Sequence, residues 1–189
     1  MKWYELAQKL KPTLRKGDID YCISEVVKEI EKSPSTPFHI VVSLDFTNSQ
    51  SAVAGYIQKF ISGSKLGDDL QAIYTETNGF DINPDEWYFE LFGFNNCGTA
   101  DDLEWLCDWQ AESEYAAVLT GMEELQKVYA SEAFQKTEYR AASELCSLLV
   151  VLKFQKLIFE SAKLIDNLSI PLFATAHDYD FIYKYQEIA

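Results

Sequence analysis

Between Leu66 and Gln126 the chain has no lysine, arginine or histidine. The same stretch holds fifteen carboxylates, so it carries the whole negative balance of a protein whose net charge is −14. Elsewhere, fifteen acids face sixteen Lys and Arg, and the remainder is nearly neutral. Ten aromatic residues lie within the acidic stretch, including Trp87, Trp105 and Trp109. That composition excludes a solvated disordered tail, which would lack large apolar side chains. The segment must fold and stay strongly negative.

Other scarcities narrow the function. Only two histidines, His39 and His177, are present, which leaves little to build metal-dependent or nucleophilic chemistry on. The four cysteines, Cys22, Cys97, Cys107 and Cys146, stand apart, and no pair has the two-residue spacing of a zinc knuckle or a redox site. The eight glycines form neither a phosphate-binding loop nor a dinucleotide fingerprint, and there is no Gly-x-Ser-x-Gly elbow. Gly63-Ser64-Lys65 lacks the upstream glycine a phosphate loop needs. The longest apolar run, Leu148 to Leu152, is far short of the roughly 20 residues that cross a bilayer. The first ten residues mix Lys2, Glu5, Gln8 and Lys9 with apolar positions, unlike a secretory signal. A cytoplasmic location is expected. Net charge −14 disfavours nucleic acid and anionic membranes, because binding phosphates depends on Lys and Arg displacing counterions.

Length and a 48% apolar composition fit one domain, 1–189, with a real core. Trp3 to Leu10 has helical spacing, with Pro12 as its stop, and Asp18 caps a second helix running to Lys32. After the Ser33–Pro37 break, Phe38 to Phe46 reads as a buried strand and Gln50 to Ile61 as a helix. Leu70 to Glu76 is a candidate strand. For Trp87 to Phe94, the Asn83-Pro84-Asp85-Glu86 lead-in resembles a helix cap, but the aromatic run favours a strand. Asp101 to Trp109 and Tyr115 to Tyr129 read as helices, and Thr137 to Asp166 is the longest helical pattern. Its centre, Leu145 to Leu152, is apolar nearly all round and predicts a helix buried on most faces. Ser169-Ile170-Pro171 ends it before a last strand, Leu172 to Ala176. The expected architecture is α+β: a mainly antiparallel sheet of three to five strands covered by about six helices, with a long buried C-terminal helix.

Three chemical readings compete. His177, Asp178 and Asp180 are the most metal-like cluster, yet ligand sets of that kind need further histidines, and a polar turn is the plainer explanation. Carboxylate pairs such as Glu86 with Glu90, or Asp108 with Glu112, would share a helix face and suit a glycan or phosphate-ester hydrolase, with Trp105 and Trp109 stacking on sugar. Thirty acids make such pairs arise by chance. No cofactor, metal or catalytic residue is assigned. The third reading is a docking surface: helical spacing would set Glu104, Asp108 and Glu112 in one row, with Asp101 and Asp102 near its start and Trp105 and Trp109 alongside. Together with Asp81 and Asp85 these form the expected partner-binding set. Carboxylates around an aromatic anchor suit a Lys/Arg-rich protein, since charge speeds encounter and the ring supplies burial. The competing possibility is that both tryptophans face the core.

Three segments carry a resemblance: Pro37-Phe38-His39-Ile40-Val41-Val42-Ser43-Leu44, Pro84-Asp85-Glu86-Trp87-Tyr88, and Phe173-Ala174-Thr175-Ala176-His177-Asp178. They are similar to small bacterial proteins taken for immunity proteins of contact-dependent toxin systems. The resemblance implies a protein that blocks one cognate toxin, often a basic nuclease, without chemistry of its own. It defines no site residues.

Overall fold

The computed structural model describes residues 2–185. The long C-terminal helix α5, Arg140–Ala162, organises the fold: every side chain from Leu145 to Gln155 is buried. Around it pack α1 (Trp3–Leu14), α2 (Ile19–Glu31) and α3 (Gln50–Gly63), while α4 (Glu123–Tyr129) docks on the neighbouring 3-10 segment Pro37–Val42. In α2 the buried positions Ile19, Cys22, Val26 and Ile30 follow the 3.6-residue period, and Asp18 Oδ1 accepts the Tyr21 N–H at 3.2 Å. Helix α1 runs through Pro12 to Leu14. Leu14 is fully buried, and its burial outweighs the hydrogen bond that the proline cannot donate.

The sheet has the order β3-β2-β1-β5-β6, with β4 also on β2. Its strands are β1 (Ala72–Thr77), β2 (Tyr88–Phe94), β3 (Ala111–Glu112), β4 (Ala117–Val118), β5 (Leu172–Ala176) and β6 (Tyr183–Tyr185). All pairings are antiparallel except β1 with β5. The class is therefore α+β with a mostly antiparallel sheet. Alternation along each strand divides the residues between two faces. Ile73, Phe89, Leu91, Leu172 and Ala174 face the helices and join the main core. Ala72, Tyr74, Phe94 and Phe173 face outward into a second, smaller core.

Besides α1, which overruns its expected stop at Pro12, three segments depart from the sequence reading. Residues 38–46 do not form a strand; Pro37–Val42 is a 3-10 helix. Lys153, buried on α5, donates to the carbonyls of Val41 (3.0 Å) and Leu44, so a side chain meets the acceptors that a strand would have given to a neighbour. His39 closes the other end, with Nδ1 accepting the Thr36 N–H at 3.1 Å. Residues 115–129 are helical only from Glu123, because Val118 and Ala117 pair with Tyr88 and Phe89. The helix expected over 101–109 is a single 3-10 turn, Glu104–Cys107.

Candidate functional site

Part of the acidic stretch borders the outer face of the sheet. The 95–110 loop folds across one end of that face, and local bonds set its course. Trp105 donates from Nε1 to the Thr99 carbonyl at 3.1 Å, Thr99 Oγ1 accepts the N–H groups of Asp101 (3.3 Å) and Asp102 (3.1 Å), and Asp102 Oδ1 accepts the Glu104 N–H at 3.2 Å. Side chains that satisfy nearby backbone in this way compete with a continuous helix. The row expected of Glu104, Asp108 and Glu112 therefore does not exist: Glu104 lies in the 3-10 turn, Asp108 follows it with non-helical dihedrals, and Glu112 sits on β3.

The two tryptophans have separate roles. Trp105 is half-buried, edge-on to Phe94 and Phe173 at 4.7 and 5.2 Å, and closes the outer core. Trp109 remains 47% exposed and touches Phe92 edge-on at 5.4 Å. Trp105 thus belongs to the fold, and Trp109 to the surface.

The predicted acids likewise divide. Asp101 binds Lys11 (3.0 Å) and Arg15 (2.6 Å) of α1, and these cations hold its carboxyl down at about 2. It ties the loop to α1. Asp102, Glu104 and Asp108 are exposed on the same loop. Asp81 and Asp85 lie in the β1–β2 hairpin, at the opposite end of the seven-residue β2, some 20 Å away at about 3.3 Å per residue. Asp85 is exposed, whereas Asp81 is half-buried, and its burial pushes the carboxyl up, with Asp178 adding to the shift. By themselves the nine predicted residues form two separate groups.

Glu76 and Glu90 lie outside that predicted set, and they stand beside Glu112, which belongs to it. Glu76 on β1 and Glu90 on β2 are directly opposite each other, and Glu112 of β3 stands opposite Phe92, two residues along β2 from Glu90 and on the same face. All three project from the outer face by strand alternation. Glu76 is held by the Tyr74 hydroxyl, which donates to Oε2 at 2.6 Å, and by His177 Nδ1 at 3.1 Å from Oε1. The Glu76 carboxylate raises the His177 imidazole above its ordinary value. Burial first, then the charges of Glu112 and Glu76, raise the Glu90 carboxyl. The period-two run Tyr74-Thr75-Glu76 and its counterpart Tyr88-Phe89-Glu90-Leu91-Phe92 contained this signal.

Along the β3–β4 edge, exposed apolar groups alternate with acids: Trp109, then Glu112 and Glu114, then Tyr115 and Val118. Behind this edge a cleft of about 350 Å³ opens between the C-terminal end of α3 and residues 111–115. Of the fifteen carboxylates between 66 and 126, three meet a Lys or Arg among the described residues, Asp101 with Lys11 and Arg15, Glu114 with Lys59, and Glu124 with Lys127, and Glu76 meets the His177 imidazole, which is cationic only when protonated. The other eleven have none.

Among the described residues no three His, Cys, Asp or Glu side chains are grouped to hold a metal ion. His177 turns its Nδ1 to Glu76, with Nε2 3.8 Å from Asp178, so the metal-like cluster read from sequence is an imidazole bridging carboxylates. The buried thiols of Cys22 and Cys146 are pushed up to about 11 and about 12 by desolvation, which suits packing and not nucleophilic attack. No helix of the described residues is long and apolar enough to cross a membrane. Compared with protein-family models, curated proteins and solved structures, the chain matches none.

Proposed function

We propose that this chain is a cytoplasmic binding protein, an inhibitor of the immunity type, that docks a cationic protein such as a nuclease toxin. The outer sheet face and the β3–β4 edge form the docking surface, and the chain brings no chemistry of its own. One observation carries the reading. Glu76 and Glu90 face each other across adjacent strands, flanked by Glu112, and no Lys or Arg lies within ion-pair distance of them among the described residues. Like charges directly opposite in an antiparallel pair oppose folding. A Lys/Arg-rich partner would relieve that repulsion while burying Trp109, the kind of exposed aromatic that anchors interfaces. The acids of the 101–108 loop and of the hairpin would then steer and frame the encounter from either end of the face.

The test is affinity capture from the source organism at low salt, comparing the native chain with a Glu76→Gln/Glu90→Gln/Glu112→Gln variant. A basic protein retained by the native chain, released by added NaCl and not held by the variant is the expected outcome. A partner held equally by both, or insensitive to salt, would overturn the reading.

A further inference from the structure

We propose that the cleft behind the β3–β4 edge is a socket for one arginine side chain of the protein partner; this rests on the docking reading above and assigns its anchor point. The walls are aromatic: Tyr56, Phe60 and Tyr115 line the cleft, with Glu112 and Glu114 in the chain segment along one side. At about 350 Å³ it lies at the small end of the range for ligand pockets, the size for one side chain and not a cofactor. The Tyr56 hydroxyl donates to the Tyr115 carbonyl at 2.5 Å, and the two rings lie 5.4 Å apart, so the aromatic wall is fixed before anything binds.

The molecule already shows a cation in this place. Lys59 Nζ lies 5.0 Å from the centre of the Tyr115 ring and 3.9 Å from Glu114 Oε2. That separation exceeds hydrogen-bond range, and both side chains are largely exposed, at 63% and 86%. Lys59 is therefore a loose occupant that can swing out.

Lys59 and Lys65 line the cleft together with Glu112 and Glu114, so the lining holds two residues of each sign. A point charge gains little in such a balanced lining. A planar guanidinium gains more, because it stacks on tyrosine faces and forks onto a carboxylate, which selects arginine over lysine. Residues 62–64 at the C-terminal end of α3 also line the cleft, and the last turn of that helix has no basic residue, so the partial negative charge of its carbonyls is uncompensated within the turn. Glu112 belongs to both the cleft and the outer face, which makes the socket continuous with the docking surface.

The experiment is an amide-resolved NMR titration of the full chain with three capped peptides, acetyl-Gly-Arg-Gly-amide, its lysine counterpart and its glutamine counterpart. Saturable shifts at Gly63, Ser113 and Tyr115 with the arginine peptide, tighter than with lysine and absent with glutamine, are expected. Lys59→Ala should tighten arginine binding and Tyr115→Leu should weaken it, each by about two- to fivefold. Lys28→Ala, which removes the same charge from α2, should leave it unchanged. Equal binding of lysine and arginine, equal effects of the Lys59 and Lys28 variants, or no shift at the cleft overturns the socket. Shifts at Glu90 and Trp109 without shifts at the cleft overturn the socket and leave the docking face standing. Shifts at the cleft without any at Glu90 and Trp109 keep the socket and count against the wider face.

Discussion

Replacing Glu90 with glutamine removes one of the two carboxylates that oppose each other across β1 and β2, keeps the side-chain shape, and leaves Glu76 with its bonds to Tyr74 and His177. Two unit charges about 6 Å apart repel by roughly 0.7 kcal/mol in water and roughly 2.8 kcal/mol at an effective dielectric constant of about 20. Glu90 is only partly buried, so the watery end of that range applies, and solvent screening brings the expected gain to about 0.5–1 kcal/mol. For a chain of this length that raises Tm by about 1–4 °C.

The pH dependence fixes the cause. The Glu90 carboxyl is raised by burial, then by Glu112 and Glu76, so its ionisation opposes folding. As pH falls from neutrality through the folded value towards the unfolded one, the native protein recovers this stability, whereas Glu90→Gln has none to recover. The advantage of the variant should be full at pH 7 and gone below about pH 4, where the carboxyl is protonated in both states. Circular-dichroism melts at pH 7, 5.5 and 4 read it directly. A variant that melts at or below the native temperature at pH 7, or whose advantage does not change with pH, refutes the repulsion reasoning and with it the main support for the docking face. The same substitution should weaken capture of the basic partner, so the residue would be one that trades stability for binding.

The two tryptophans should respond oppositely. Trp105→Ala, which empties the seat against Phe94 and Phe173, should cost about 3 kcal/mol in urea unfolding, whereas Trp109→Ala should change stability by less than about 0.5 kcal/mol yet weaken partner capture. Gly121→Ala should destabilise by at least about 2 kcal/mol by the same assay, since φ is +99° and a Cβ would lie 2.2 Å from the Asp45 carbonyl oxygen. Asp101→Asn should flatten the acid limb of the stability curve: its carboxyl is held at about 2 against an ordinary 3.8, so the native protein has that contribution above 3.8 and loses it as pH falls through about 2.

Elements whose partners lie nearby in sequence, or that need none, could be read from the chain. Helix α2 declared itself through Asp18 and its apolar period, α5 through an apolar centre that only a buried helix can use, and β2 through its run of aromatic residues. Long-range partners hid the rest. The apolar run 38–46 looks like a strand until Lys153, over a hundred residues away, meets its carbonyls. Residues 115–122 look helical until β2 claims Ala117 and Val118 and Gly121 turns the chain against Asp45. In the acidic segment the density of charge was legible, but its arrangement was not. A helical period grouped Glu104 with Asp108 and Glu112, while the period-two signal in β1 and β2, which places Glu76 beside Glu90, was overlooked.

That rearrangement changes which residues can choose a partner. Screening confines Coulomb interactions between exposed charges to about 8 Å at physiological salt. The hairpin acids and the loop acids lie at opposite ends of β2, so neither group can sense what sits on the other, and both act on the approach of any basic protein alike. Discrimination among basic partners must arise within contact distance of side chains that are both fixed and desolvated on binding. Trp109 against Phe92, Tyr115 tied to Tyr56, and Glu112 shared between face and cleft meet that condition, whereas Asp85 and Asp108 do not. Neutralising Asp85 and Asp108 should therefore slow association with every basic protein to a similar extent, while Trp109→Ala and Tyr115→Leu should speed dissociation from the cognate one and leave weak association with the others as it was.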